Sequence, residues 1–193
     1  MATRFLADSI VPESKRRSRP ERAGRRGGCG GEADLAGVKV WPDAGRWKAA
    51  FAIALPTAAI IALAGFLGGW LRFDPATDIP SALTAAVILF FIPALVEELV
   101  FRGVLLSWLA TYSQRWGSWL SAFLFMLWHP FQALTFGPPW SAIFLQPSFL
   151  FATFILGIVL THIRIVSQSF WPVIMIHWLL VLLWKLLFGG PFY

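Results

Sequence analysis

Acidic side chains are scarce in this 193-residue chain, and after Asp78 the only ones are Glu97 and Glu98. Charged residues of both signs make up 13% of the sequence and hydrophobic residues 58%, with a mean hydropathy of +0.68. Both shares depart from those of a soluble domain in the direction of a membrane protein, so an ordinary water-soluble fold is excluded. Cysteine occurs once, as Cys29, which excludes an internal disulfide and a thiolate metal cluster. It lies in a glycine run far from the apolar segments, where it reads as a bystander. No internal repeat is evident, which argues against the repeat plan of secondary transporters.

Basic residues are numerous only at the front. Eleven of the 16 Lys and Arg lie at or before Lys48. A basic arm of this kind suits nucleic acid in a soluble protein, but directly ahead of a hydrophobic span it sets topology by the positive-inside rule. No nucleic-acid partner is expected, and anionic lipid is the simplest one. Residues 1–47 mix Arg, Gly, Pro, Glu and Ser without apolar periodicity, and predict a disordered cytoplasmic tail. Residues 48–193 form the membrane domain.

Five apolar stretches follow, at about 49–71, 81–110, 117–135, 141–162 and 170–188. At 1.5 Å per residue each crosses, or nearly crosses, a hydrocarbon core of roughly 30 Å. The expected fold is therefore all-α, a polytopic transmembrane bundle of about five spans. With the N-terminus cytoplasmic, Arg115 and the predicted turn at 164–169 face the cytoplasm. Trp47, Trp70, Trp116, Trp119, Trp140 and Trp171 flank span ends as an aromatic belt would, and His162 reads as interfacial. Gly65 and Gly69 have the spacing that lets helices approach closely.

Against this background the charges at 97–102 stand out. A charged group at a helix centre costs roughly 2.5–3.5 kcal/mol on the insertion scale, so Glu97, Glu98 and Arg102 together cost on the order of 8–10 kcal/mol before any pairing. Ionisable residues inside a span mark function by default. Glu98 and Arg102, four apart, share a helix face and are predicted to pair, while Glu97 points elsewhere, toward a small polar cavity where it can serve as a base. The alternative is a paired triad that only locks helix packing. Pro93 predicts a kink just before the carboxylates. The third span adds Phe125 and His129 on one face, and the fifth adds His177. Two carboxylates and two imidazoles in a water-poor site suit hydrolysis of an acyl bond, and chemistry alone leaves both metal-free and metal-assisted routes open.

The run from Glu97 to Arg102 resembles the EExxxR motif of the CPBP family, the CAAX-protease and bacteriocin-processing membrane proteins. Phe125 to His129 matches that family's FxxxH motif, and Ser167 to His177 is similar to the approach to its third motif. The resemblance covers roughly residues 81–184 and implies an intramembrane glutamic endopeptidase with no metal and no cofactor. By that resemblance Glu97 activates water, His129 helps position or deprotonate it, Glu98 and Arg102 support the site, and His177 contributes to stabilising the oxyanion. Phe125 is a supporting residue.

One position departs from the pattern. The third motif usually continues to an Asn four residues after the histidine, where this chain has Val181. The expected partner is a peptide or membrane-protein substrate, lipidated or not, at a bacterial-type plasma membrane. The competing reading is a catalytically silent scaffold or immunity-type binding protein.

Overall fold

The computed structural model describes residues 35–191. It is all-helical, and no strand beyond a single bridge between Asp74 and Phe188 occurs among the described residues. The main rods are α1 (Ala44–Leu67), α2 (Ile79–Ala110), α3 (Gln114–Thr135), α4 (Pro147–Ser167) and α5 (Trp171–Leu187). Helices α1, α2 and α4 are long and apolar enough to cross a membrane; α5 is apolar but shorter.

The rods are arranged around α4. Half of its most apolar window is buried inside the protein, against 22% for α1 and 11% for α2, and it packs on both α1 and α3. Its crossing with α3 depends on Gly157, where a Cβ would stand 3.1 Å from the backbone of Ala122. Small residues let helices approach in lipid, where no hydrophobic force drives them together. The close contact is thus at Gly157 rather than at Gly65 and Gly69. Those glycines end α1 instead: the Gly65 carbonyl accepts from the Trp70 and Leu71 amides, and Gly69 takes a left-handed φ of 74°, which glycine adopts without strain.

Helix α2 is interrupted in the way Pro93 predicts. Ile92 leaves helical geometry (φ −133°, ψ 111°), and wide π turns run over Phe90–Leu95 and Leu99–Leu105. Proline lacks the amide that would continue the ladder, and π turns in helices occur mostly at functional sites. Ile92, Val96, Val100, Val104 and Trp108 point outward and are exposed, while Ala94, Glu97, Glu98, Arg102 and Gly103 point inward. The helix is apolar toward lipid and polar toward the protein, the inverse of a helix on a water-soluble surface.

The fourth span is displaced furthest from the sequence pattern. It starts later and runs on to Ser167, so Arg164 belongs to α4 rather than to a loop, and its guanidinium lies buried 4.3 Å from the Phe170 ring centre. Trp70 is likewise a core residue, edge-on to Phe149 and Trp184, not a belt residue.

The tail assigned to residues 1–47 falls in two parts. Residues 1–34 lie outside the described residues, but 35–47 carry ordered structure. A 3-10 turn at Ala36–Lys39 leads into a strap held on the α4–α5 connector. The Val38 carbonyl accepts from Trp171 Nε1 at 3.0 Å, the Val40 carbonyl from Ser169 Oγ at 2.6 Å, and the Gly37 carbonyl from the Phe170 amide at 3.3 Å. Asp43 then caps α1 by accepting from the Arg46 amide, as a short acidic side chain does at an N-cap.

Substituting Gly157 by Val should therefore weaken the α3–α4 crossing by about 1–3 kcal/mol, the range for overpacking a tight contact. Unfolding titrations in detergent would measure this, and a Gly157→Ala variant should fall between it and the wild type.

Candidate functional site

The inward stripe of α2 meets α3, α4 and α5 at one buried polar centre. Glu98 and Arg102 are 0% and 1% exposed, and Arg102 Nη1 donates to Glu98 Oε1 at 2.9 Å. Arg102 Nη2 donates to the Gly157 carbonyl at 3.3 Å, and its guanidinium carbon lies 4.2 Å from the Phe125 ring centre. The arginine is thus held by a carboxylate, a backbone carbonyl and a ring face, each able to stabilise a cation. The pairing foreseen from the i, i+4 spacing is present.

Glu98 Oε1 carries a second bond, since His177 Nδ1 lies 2.8 Å away. An ionised carboxylate only accepts, so Nδ1 donates and the ring presents Nε2 on its other side. That side faces Glu97, with His177 Nε2 4.0 Å from Glu97 Oε2. This is too long for a direct hydrogen bond and fits a group shared between the two.

His129 is oriented by the same logic. Its Nδ1 lies 3.0 Å from the Phe125 carbonyl, which can only accept, so in the neutral ring Nε2 carries the lone pair. Phe125 is fully buried and meets both imidazoles edge-on, with centroids 5.1 Å from His129 and 5.7 Å from His177. It separates and orients the two rings. Phe144 and Phe149 close the other sides of His129.

Glu97 turns toward α3, away from Arg102. Its Oε1 accepts from Trp128 Nε1 at 3.0 Å and from Gln132 Nε2 at 3.4 Å, while its Oε2 is buried without a hydrogen-bond partner in the protein. All six predicted residues, Glu97, Glu98, Arg102, Phe125, His129 and His177, therefore belong to one cluster. Trp128 and Gln132 are additions. Gln132 stands three residues after His129 on one helix face, a spacing visible in the sequence, whereas Trp128 is hidden among 11 tryptophans. Among the described residues no three of His, Cys, Asp and Glu are grouped as metal ligands.

Helices that turn apolar sides outward and gather two glutamates, two histidines and an arginine inside define an integral membrane protein with a buried polar centre. Residues 79–183, more than half of the chain, match the family described as type II CAAX prenyl endopeptidase Rce1-like. The protein belongs to that family, a family of CAAX-protease-type endopeptidases, in agreement with the resemblance carried by the EExxxR and FxxxH runs. The match spans every residue of the cluster. No curated protein and no solved structure matches the chain.

Removing one member of a buried ion pair leaves the other uncompensated, at a cost of about 3–5 kcal/mol. Arg102→Ala should lower stability in detergent by that order, and Glu98→Gln combined with Arg102→Met should recover much of the loss. Equal stability of Arg102→Ala and wild type would show that the pair carries no structural weight.

Proposed function

We propose that this protein is a metal-free intramembrane endopeptidase in which Glu97 activates water for attack on a peptide carbonyl. The observation that carries the reading is that the Glu97 carboxylate meets only neutral donors, whereas Glu98 is paired with Arg102. One Glu97 oxygen is held by two donors, and the other is buried, unpartnered and 4.0 Å from an imidazole nitrogen. A water bound there would lose its proton to Glu97 as its oxygen bonds to the carbonyl carbon. Glu97 would then return that proton to the leaving amine as the carbon–nitrogen bond breaks, the usual exchange of base and acid roles. His129, with Nδ1 committed to the Phe125 carbonyl, offers Nε2 to orient the same water.

Glu98 and Arg102 serve as support. Their bonds hold His177 at a fixed angle, and as an imidazolium His177 would donate from Nε2 to the oxyanion that forms, with Glu98 as its counter-ion on the opposite side. Val181, one turn beyond, contributes no donor. Substrates are peptides or membrane proteins, lipidated ones included, that reach the site from the bilayer or the cytoplasmic face. The basic tail lies on the cytoplasmic side of a bacterial-type plasma membrane, against anionic lipid.

Val181 favours a second reading, a silent scaffold that holds a partner through the same residues. Cleavage of an internally quenched farnesylated CAAX peptide by purified protein in detergent separates the two. Wild type should cut, Glu97→Gln should lose roughly 10²–10⁴-fold in rate while staying folded, and a chelator should change nothing. Cutting by Glu97→Gln would remove the glutamate from its role; chelator-sensitive cutting would replace the metal-free route; and no cutting by folded wild type would favour the scaffold.

A further inference from the structure

We infer that Trp128 is a positioning residue for Glu97, an indole whose N–H fixes one carboxylate oxygen so that the other is left for the reacting water. The inference rests on the proposed role of Glu97 but concerns a residue that neither the EExxxR nor the FxxxH pattern specifies.

Geometry supports it from three sides. The indole Nε1 donates to Glu97 Oε1 at 3.0 Å, the shorter of the two bonds that oxygen receives; the bond from Gln132 is 3.4 Å. A bond to an ionised acceptor is among the stronger ones a neutral donor makes. The ring is itself packed among aromatic neighbours, with Phe101 of α2 6.4 Å away on one side, and Phe131 and Phe136 5.6 Å and 6.0 Å away toward the end of α3. A donor packed in this way opposes the rotation by which a glutamate would exchange its two oxygens, and it is Oε2 that faces His177.

The third support is a contrast. The indole N–H groups of Trp70, Trp140 and Trp184 are buried with no hydrogen-bond partner in the protein. This fold therefore does not bond every buried indole for stability, yet the Trp128 donor is committed to a carboxylate across 31 residues of sequence. Phe131 and Phe136 are exposed, so the same ring also links the outer surface to Glu97.

Two measurements test this, one with substrate and one without. On the farnesylated CAAX peptide, Trp128→Phe, which keeps an aromatic ring but has no N–H, should lower kcat by about tenfold or more and leave KM unchanged. Gln132→Leu should act in the same direction with a smaller effect. A rise in KM at constant kcat would assign Trp128 to substrate binding and overturn the proposal. Without substrate, a hydrophobic carbodiimide should label Glu97 several-fold faster in Trp128→Phe than in wild type, as read by mass spectrometry, because Oε1 loses the indole N–H that occupies it. Equal labelling in the two proteins would overturn it as well. Should Trp128→Phe fail to fold, Gln132→Leu and replacement of Trp128 by benzothienylalanine, an isostere without the N–H, carry both measurements. Cutting by Glu97→Gln would sink the assigned base and leave the labelling result to judge the clamp alone.

Discussion

Everything at the centre of this protein depends on neutralising charge where water is absent. Arg102 and Glu98 sit one helical turn apart on a helix whose outer side meets lipid, and neither is accessible to solvent. Their attraction is reinforced by further contacts that each partner makes. The guanidinium reaches the Gly157 carbonyl and the Phe125 face, and the carboxylate takes His177. The pair consequently does more than balance itself, since each partner extends a bond to a different helix. Helices α2, α4 and α5 are fixed relative to one another by the contacts that keep the pair stable.

Gly157 shows how tightly packing and electrostatics are joined. It permits α3 and α4 to approach, and its carbonyl accepts the second arm of Arg102. That carbonyl also accepts from Thr161 Oγ1 one turn later. A larger residue there would push α3 away, and with it Phe125, His129, Trp128 and Gln132. The separation of labour between the carboxylates follows from the same arrangement. Glu98 is committed to Arg102 and His177, and Glu97 to the neutral donors of Trp128 and Gln132, so two adjacent and chemically identical side chains acquire different surroundings from the helices they face.

Much of this was legible in the sequence, and the limits have a physical cause. Helical periodicity states which residues of one helix share a side, so the Glu98–Arg102 pair, the common face of Phe125 and His129, and the break at Pro93 could all be read directly. Periodicity does not state which helices are neighbours. The bond from His177 to Glu98 spans 79 residues and that from Trp128 to Glu97 spans 31, and nothing local encodes either. Composition misled in three places. Trp70 looked interfacial and is core, the Gly65–Gly69 spacing looked like a helix crossing and is a helix end, and Arg164 looked like a loop cation although α4 carries it inward. The polar character of residues 35–47 concealed their order, because the strap is held through its backbone carbonyls, which no side-chain pattern reports.

That strap bears on how the chain is assembled during synthesis. Its acceptors at Val38 and Val40 lie near the start of the described residues, and their donors at Trp171 and Ser169 lie 133 and 129 residues later. The early segment cannot acquire these hydrogen bonds until residues 169–171 have been made. Until then α1 is without this latch. A nascent product stalled before residue 169 would present the 35–47 segment to proteases and insertion machinery in a form that the finished protein does not have.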